Sequence, residues 1–140
     1  MGCSEQLVMA AQRGLSPALL TLCAQVPMGY CLCGRAAQQR ATVFAAHIDT
    51  DHDVRFPDMR PHGHYCVPIL FRDRLMGVLN LYVPDGYVRN LEEEAFLTTI
   101  TYTLANLIER RAAEQNLLEE REFSASLIAT APALVVVLDP

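Results

Sequence analysis

No lysine occurs in the 140 residues: all 11 basic residues are arginine, none in an extended run, and 16 acidic residues set the net charge at −5. A chain so charged offers no electrostatic footprint for nucleic acid. No segment approaches the roughly 18 consecutive apolar residues of a membrane span, and "MGCSEQLVMAAQRG" has no basic region followed by an apolar stretch. A cytoplasmic protein is expected. Met1-Gly2-Cys3 imitates an acylation signal, but position 6 is Gln where myristoylation requires Ser or Thr. A Gly-rich nucleotide loop, a kinase phosphoacceptor segment and a cyclase signature are all missing, so the chain is expected to have no catalytic role of its own. Cysteine is scarce and odd in number, five in all. In a reducing compartment that excludes a disulfide framework and directs attention to thiols, metals or redox chemistry.

What is present reads as one globular domain, 51% hydrophobic and 19% charged. "EQLVMAAQRG" (5–14) reads as a strand. "SPALLTLCAQV" (16–26) reads as a helix with Ser16 as N-cap and Pro17 at its first position, stopped by Pro27 and Gly29. "GRAAQQR" (34–40) suits a second short helix, "ATVFAAHI" (41–48) a strand, and 49–61 a polar loop. "HYCVPIL" and "LMGVLNLYV" around "FRDR" form an antiparallel hairpin, whose second arm, 75–83, is apolar enough for a central strand. Asn90, with Glu93 three residues on, approximates a capping box opening a long helix over 90–122. Leu97, Ile100, Leu104 and Leu107 give it one buried stripe, and the pattern turns polar from Glu109. Ala131-Pro132 breaks helical text, and "ALVVVLD" reads as a lone strand of a larger structure.

Three of the five cysteines and two of the four histidines fall in "YCLCGRAA" (30–37) and "HGHYC" (62–66). In extended chain, side chains two apart share a face, so His62, His64 and Cys66 project together, as do Cys31 and Cys33 if "YCLC" is extended. Thiolate and imidazole suit zinc or iron, and Cys31, Cys33 and Cys66 with His64 or His62 make a four-ligand set, although zinc modules commonly use C-x-x-C. The candidate cofactors are zinc, iron or an iron–sulfur cluster. The same thiols could instead exchange through a disulfide, or be small buried hydrophobes beside histidines that satisfy backbone carbonyls. In "HIDTDHD", Asp49, Asp51 and Asp53 alternate like a calcium loop, but Val54 and Arg60 stand where that loop needs Gly and Glu. His47 and His52 are expected in a solvated loop, the alternative being an outer ligand to the Cys/His site.

With "CLCGRAA", "HGHYCVPI", "MGVLNLYV" and the helix "LEEEAFLTTITYTLANLIERRAAEQNL", the chain resembles a GAF domain, the small ligand-binding sensory module of bacterial signalling proteins. Val67-Pro68-Ile69 and Gly77-Val78-Leu79 fit the family's hairpin pattern, over about residues 5 to 112. The resemblance implies an α+β fold, an antiparallel sheet flanked by helices with a long C-terminal signalling helix. It divides the chain into a GAF-like domain at 1–112 lacking its usual first helix and strand, a helical linker at 113–123, and the start of a truncated PAS-like domain at 124–140. It places both Cys/His segments at the rim of one pocket, where Tyr30, Phe44, Tyr65 and Tyr82 either line the cavity or, at strand spacing, serve the core, and where Arg35 could meet an anion at a helix start. The implied partners are a small-molecule or metal ligand, a downstream PAS or output domain, and a second copy paired through the long helix. Some GAF-fold proteins are free methionine sulfoxide reductases acting through pocket cysteines; the cysteine spacing here does not match theirs residue by residue.

Overall fold

A computed structural model describes residues 6–130 of the chain. The helix break at Ala131-Pro132 and the strand expected in "ALVVVLD" lie outside the described residues. The elements in chain order are β1 (Gln6–Val8), α1 (Pro17–Leu22), β2 (Gln25–Pro27), α2 (Cys31–Gln39), β3 (Val43–Ala45), β4 (His62–Phe71), β5 (Arg74–Pro84) and α3 (Leu91–Thr130). The fold is α+β, with antiparallel strands throughout: β1 pairs with β2, and a three-stranded sheet has the order β3-β4-β5. The chain divides into two compact units, Met1–Asn106 and Leu107–Pro140.

Local chemistry explains most boundaries. Ser16 caps α1, its hydroxyl accepting the Leu19 N–H at 3.4 Å, and Pro17 fills the first turn. α1 ends sooner than expected because Gln25–Pro27 pairs with β1 as β2. The strand expected over 5–14 is confined to Gln6–Val8. A two-residue turn at Arg72-Asp73 joins β4 to β5, with Arg72 in the left-handed region at φ 54°.

β4, not β5, is the central strand. Gly63 through Ile69 are buried without a break, whereas β5 at the sheet's side is mostly half-buried. The cause is coverage of both faces. On one face Cys66, Ala45, Val43 and Val78 pack against Leu32, Cys33 and Ala36 of α2. On the other, Tyr65, Val67, Val83, Phe44 and Leu79 pack against Leu97 and Ile100 of α3.

Asn90 caps α3, its side-chain oxygen accepting the N–H of Glu92 at 2.9 Å and of Glu93 at 3.3 Å. The reciprocal half of the capping box is replaced. The Tyr65 hydroxyl takes the Asn90 N–H at 2.8 Å, and Glu93 accepts the Tyr87 hydroxyl at 2.8 Å. Leu97, Thr101 and Ala105 are the buried positions of α3's first turns, and the stripe ends there, with Leu107 56% exposed. In the second unit Leu107, Ile108, Leu117, Leu118 and Phe123 are exposed.

Candidate functional site

The expectation of an extended "YCLC" is corrected by α2, which begins at Cys31, three residues before "GRAAQQR". Cys31 has a left-handed backbone, φ 53°, and helical geometry follows. Two residues apart on a helix point to nearly opposite sides, so Cys31 and Cys33 separate. Cys31 packs with Leu19 and Val54, whereas Cys33 faces the sheet, its Sγ 3.8 Å from that of Cys66. Asp53 fixes the turn: its carboxylate accepts the Cys31 N–H at 2.6 Å and pairs with Arg35 at 3.2 Å. Arg35 also binds Asp51 at 2.6 Å, so its guanidinium clamps the 49–61 loop onto α2. Gly34 permits the tight entry, because a Cβ there would collide with the Pro27 carbonyl.

That clamp buries what was expected in solvent. His52 is 3% exposed and Val54 6%, between exposed Asp51, Asp53 and Arg55. The missed signal is the alternation of His52, Val54 and Phe56 with charged neighbours, a period-two pattern in a stretch passed over as loop. His47 stays exposed and pairs with Asp85 at 2.9 Å.

His62 and His64 share a face of β4, as strand periodicity requires, with ring centroids 4.6 Å apart and both rings against Tyr82. His52 completes the group, its Nε2 2.9 Å from that of His64. Among the described residues these three histidines form the set that could hold a metal ion, with ligand atoms within 4.8 Å of one another. Cys31, Cys33 and Cys66 are not in it. An iron–sulfur cluster, which needs thiolates, therefore does not fit this set.

Each ring is oriented through Nδ1: His52 against the Val54 carbonyl at 2.6 Å, His62 against that of Arg60 at 2.6 Å, and His64 against the Asn80 side-chain oxygen at 3.0 Å. Burial lowers the pKa of His52 and brings that of His64 down to about 4. Beside them, Cys66 is held well above the usual thiol range by its hydrogen bond with Cys33 and by burial, and the same bond lowers Cys33. Of this pair, Cys33 is the more readily ionised. Burial raises Cys23 to about 11 and also raises Tyr82.

The aromatic lining divides between the two faces. Tyr82 belongs to the histidine side. Phe44 and Tyr65 pack with tilted rings, centroids 4.7 Å apart, on the α3 side and serve the core there, and Tyr30 is 43% exposed at the start of α2. Arg35, expected near an anion, instead pairs with the carboxylates of Asp51 and Asp53.

No curated protein matches the chain. The family model described as GAF domain matches residues 4–109. Among solved structures, the chain is similar to the free methionine-R-sulfoxide reductase of Neisseria meningitidis in complex with its substrate, at 24% identity and TM-score 0.62, over 78% of this chain and 64% of that one. It is similar to the type II free methionine-R-sulfoxide reductase of Thermoplasma acidophilum, at 19% identity and TM-score 0.53, over 62% of each chain. It is also similar to the GAF domain of an Acinetobacter phosphoenolpyruvate-protein phosphotransferase, at 20% identity and TM-score 0.56, over 64% of this chain and 55% of that one. The chain spans less than two thirds of the length of each. At these identities the likeness is one of fold. Two of these neighbours are enzymes, which overturns the expectation of no catalytic role. That expectation rested on missing output motifs, and those say nothing about chemistry within this fold. Among the described residues no helix is long and apolar enough to cross a membrane.

Proposed function

Because this chain belongs to the GAF domain family, we propose that it is a ligand-binding regulatory domain of a multidomain signal-transduction protein. The observation that carries this reading is the division of labour along β4. His62, His64 and Cys66 face the α2 side, while Tyr65, between the last two, faces α3 and holds the backbone of Asn90 through its hydroxyl. A ligand that displaces His64 or Cys66 moves Tyr65 with them, and with Tyr65 the cap residue of α3, Asn90. Residues 113–123 then act as the linker to a PAS-like segment at 124–140 and an output domain, and the apolar residues of the second unit pair with a second copy.

A second reading rests on the thiols. Cys33 and Cys66, 3.8 Å apart with Cys33 the more readily ionised, are placed to reduce a sulfoxide: two thiols and methionine sulfoxide give methionine, water and one disulfide. One experiment separates the readings. The chain is incubated with L-methionine-R-sulfoxide and dithiothreitol while methionine release and amide exchange at residues 90–94 are followed. Binding with altered exchange and no methionine supports regulation. Methionine release that disappears in Cys33→Ser supports the reductase, and binding that leaves 90–94 unchanged overturns the coupling through Tyr65.

A further inference from the structure

The three histidines share a feature that hydrogen bonding alone leaves unexplained. The Val54 and Arg60 carbonyls can only accept, so Nδ1 of His52 and of His62 must carry the proton. The Asn80 oxygen sets the same tautomer in His64. In a neutral imidazole with a protonated Nδ1, Nε2 has a lone pair and no hydrogen. Three such lone pairs therefore converge. His62 Nε2 is buried and has no hydrogen-bond partner, and the Nε2 atoms of His52 and His64 meet at 2.9 Å, acceptor to acceptor. Each arrangement is unfavourable with nothing between the rings.

We propose that His52, His62 and His64 form a three-imidazole site for a first-row divalent transition metal of the zinc type, bound through their three Nε2 atoms. Two nitrogens held at ~2.0–2.1 Å by one ion stand about 2.9–3.4 Å apart at angles from square to tetrahedral. His52 and His64 already meet that spacing, and the half-buried His62 closes the set. Carbonyl and amide oxygens on every Nδ1–H are the outer partners that orient metal-bound imidazoles. Three neutral nitrogen ligands select zinc, cobalt, nickel, copper or ferrous iron over magnesium and calcium, which require oxygen. They also leave a coordination position open to an exogenous ligand. The site is independent of whether α3 transmits a signal, since it rests only on the ring geometry.

The test uses the full chain, stripped with a chelator and titrated with Zn²⁺ by calorimetry and with Co²⁺ by absorption. One ion per chain is expected, with a cobalt spectrum lacking a thiolate charge-transfer band. His62→Ala, which removes the most accessible ring, is expected to weaken zinc by on the order of 100-fold or more, and Asn80→Ala by about 10–100-fold. His47→Ala, in the separate pair with Asp85, leaves affinity unchanged. Should the variants fold poorly, proton NMR of the cobalt-loaded wild type is expected to show three shifted, exchangeable ring N–H signals. A folded chain that takes up no metal, an affinity insensitive to His62→Ala, or a thiolate band that vanishes in Cys33→Ser would each overturn the assignment.

Discussion

Burying an imidazole denies it a proton, and in the metal-free chain His52 and His64 are both buried. The unfolded chain protonates these rings near pH 6.5, whereas folded His64 does so only near 4. Between those values the unfolded state binds more protons, so stability is full above about 6.5 and falls as the pH drops toward 4. His64 alone accounts for a loss of about 3 kcal/mol over that range, and His52 adds to it in the same direction. Urea denaturation of metal-free protein at a series of pH values is expected to show this slope, flattened in His64→Gln. The thiols give a second expectation at this scale. Iodoacetamide at neutral pH labels Cys33 before Cys66 or Cys23, as peptide mass spectrometry would show, because Cys33 alone of the three has a lowered pKa. In the sequence, the shared face of His62, His64 and Cys66 was legible from spacing alone. For His52 the sequence holds only the short alternation with charged neighbours, and what buries it, the bonds of Asp51 and Asp53 to Arg35 and α2, spans 16 to 22 residues.

Elements were legible where a local rule decides them. The hairpin, the Ser16 cap and the Asn90 cap follow from β-branched text, proline and side-chain oxygens, and each was read correctly. The start of α2 was not legible, since an Asp53 carboxylate 22 residues away caps its first N–H and a left-handed Cys31 precedes the helical run. The same packing makes Gly34 intolerant. Gly34→Ala sets a methyl against the Pro27 carbonyl and 3.1 Å from the Gly29 nitrogen, backbone atoms that cannot swing away. A loss of about 1–3 kcal/mol or more in thermal unfolding is expected. Tyr65→Phe keeps the ring and removes only the hydroxyl that holds Asn90, so a milder loss of about 1 kcal/mol is expected, with faster amide exchange concentrated at residues 90–94.

For the whole molecule, the two units differ in kind. The first buries a core on both faces of its sheet, and in the second every apolar side chain described is exposed. If the second unit associates with a copy of itself, Leu117→Glu with Leu118→Glu shifts sedimentation from dimer to monomer and leaves the melting temperature of the first unit unchanged. Unaltered sedimentation would remove the dimer from the proposed mechanism. The α+β class followed from the resemblance to the GAF family, but the identity of the central strand did not follow from the sequence: β4 and β5 are both apolar, and only pairing to β3 places β4 in the middle. β4 also has a consequence for how this domain can diversify. On the proposed reading, substitutions at 62, 64 and 66 alter what is bound, those at 65 and 67 alter what the helix feels, and the two traits can drift apart residue by residue on one strand. A single inserted residue would exchange both sets at once, which no single substitution does.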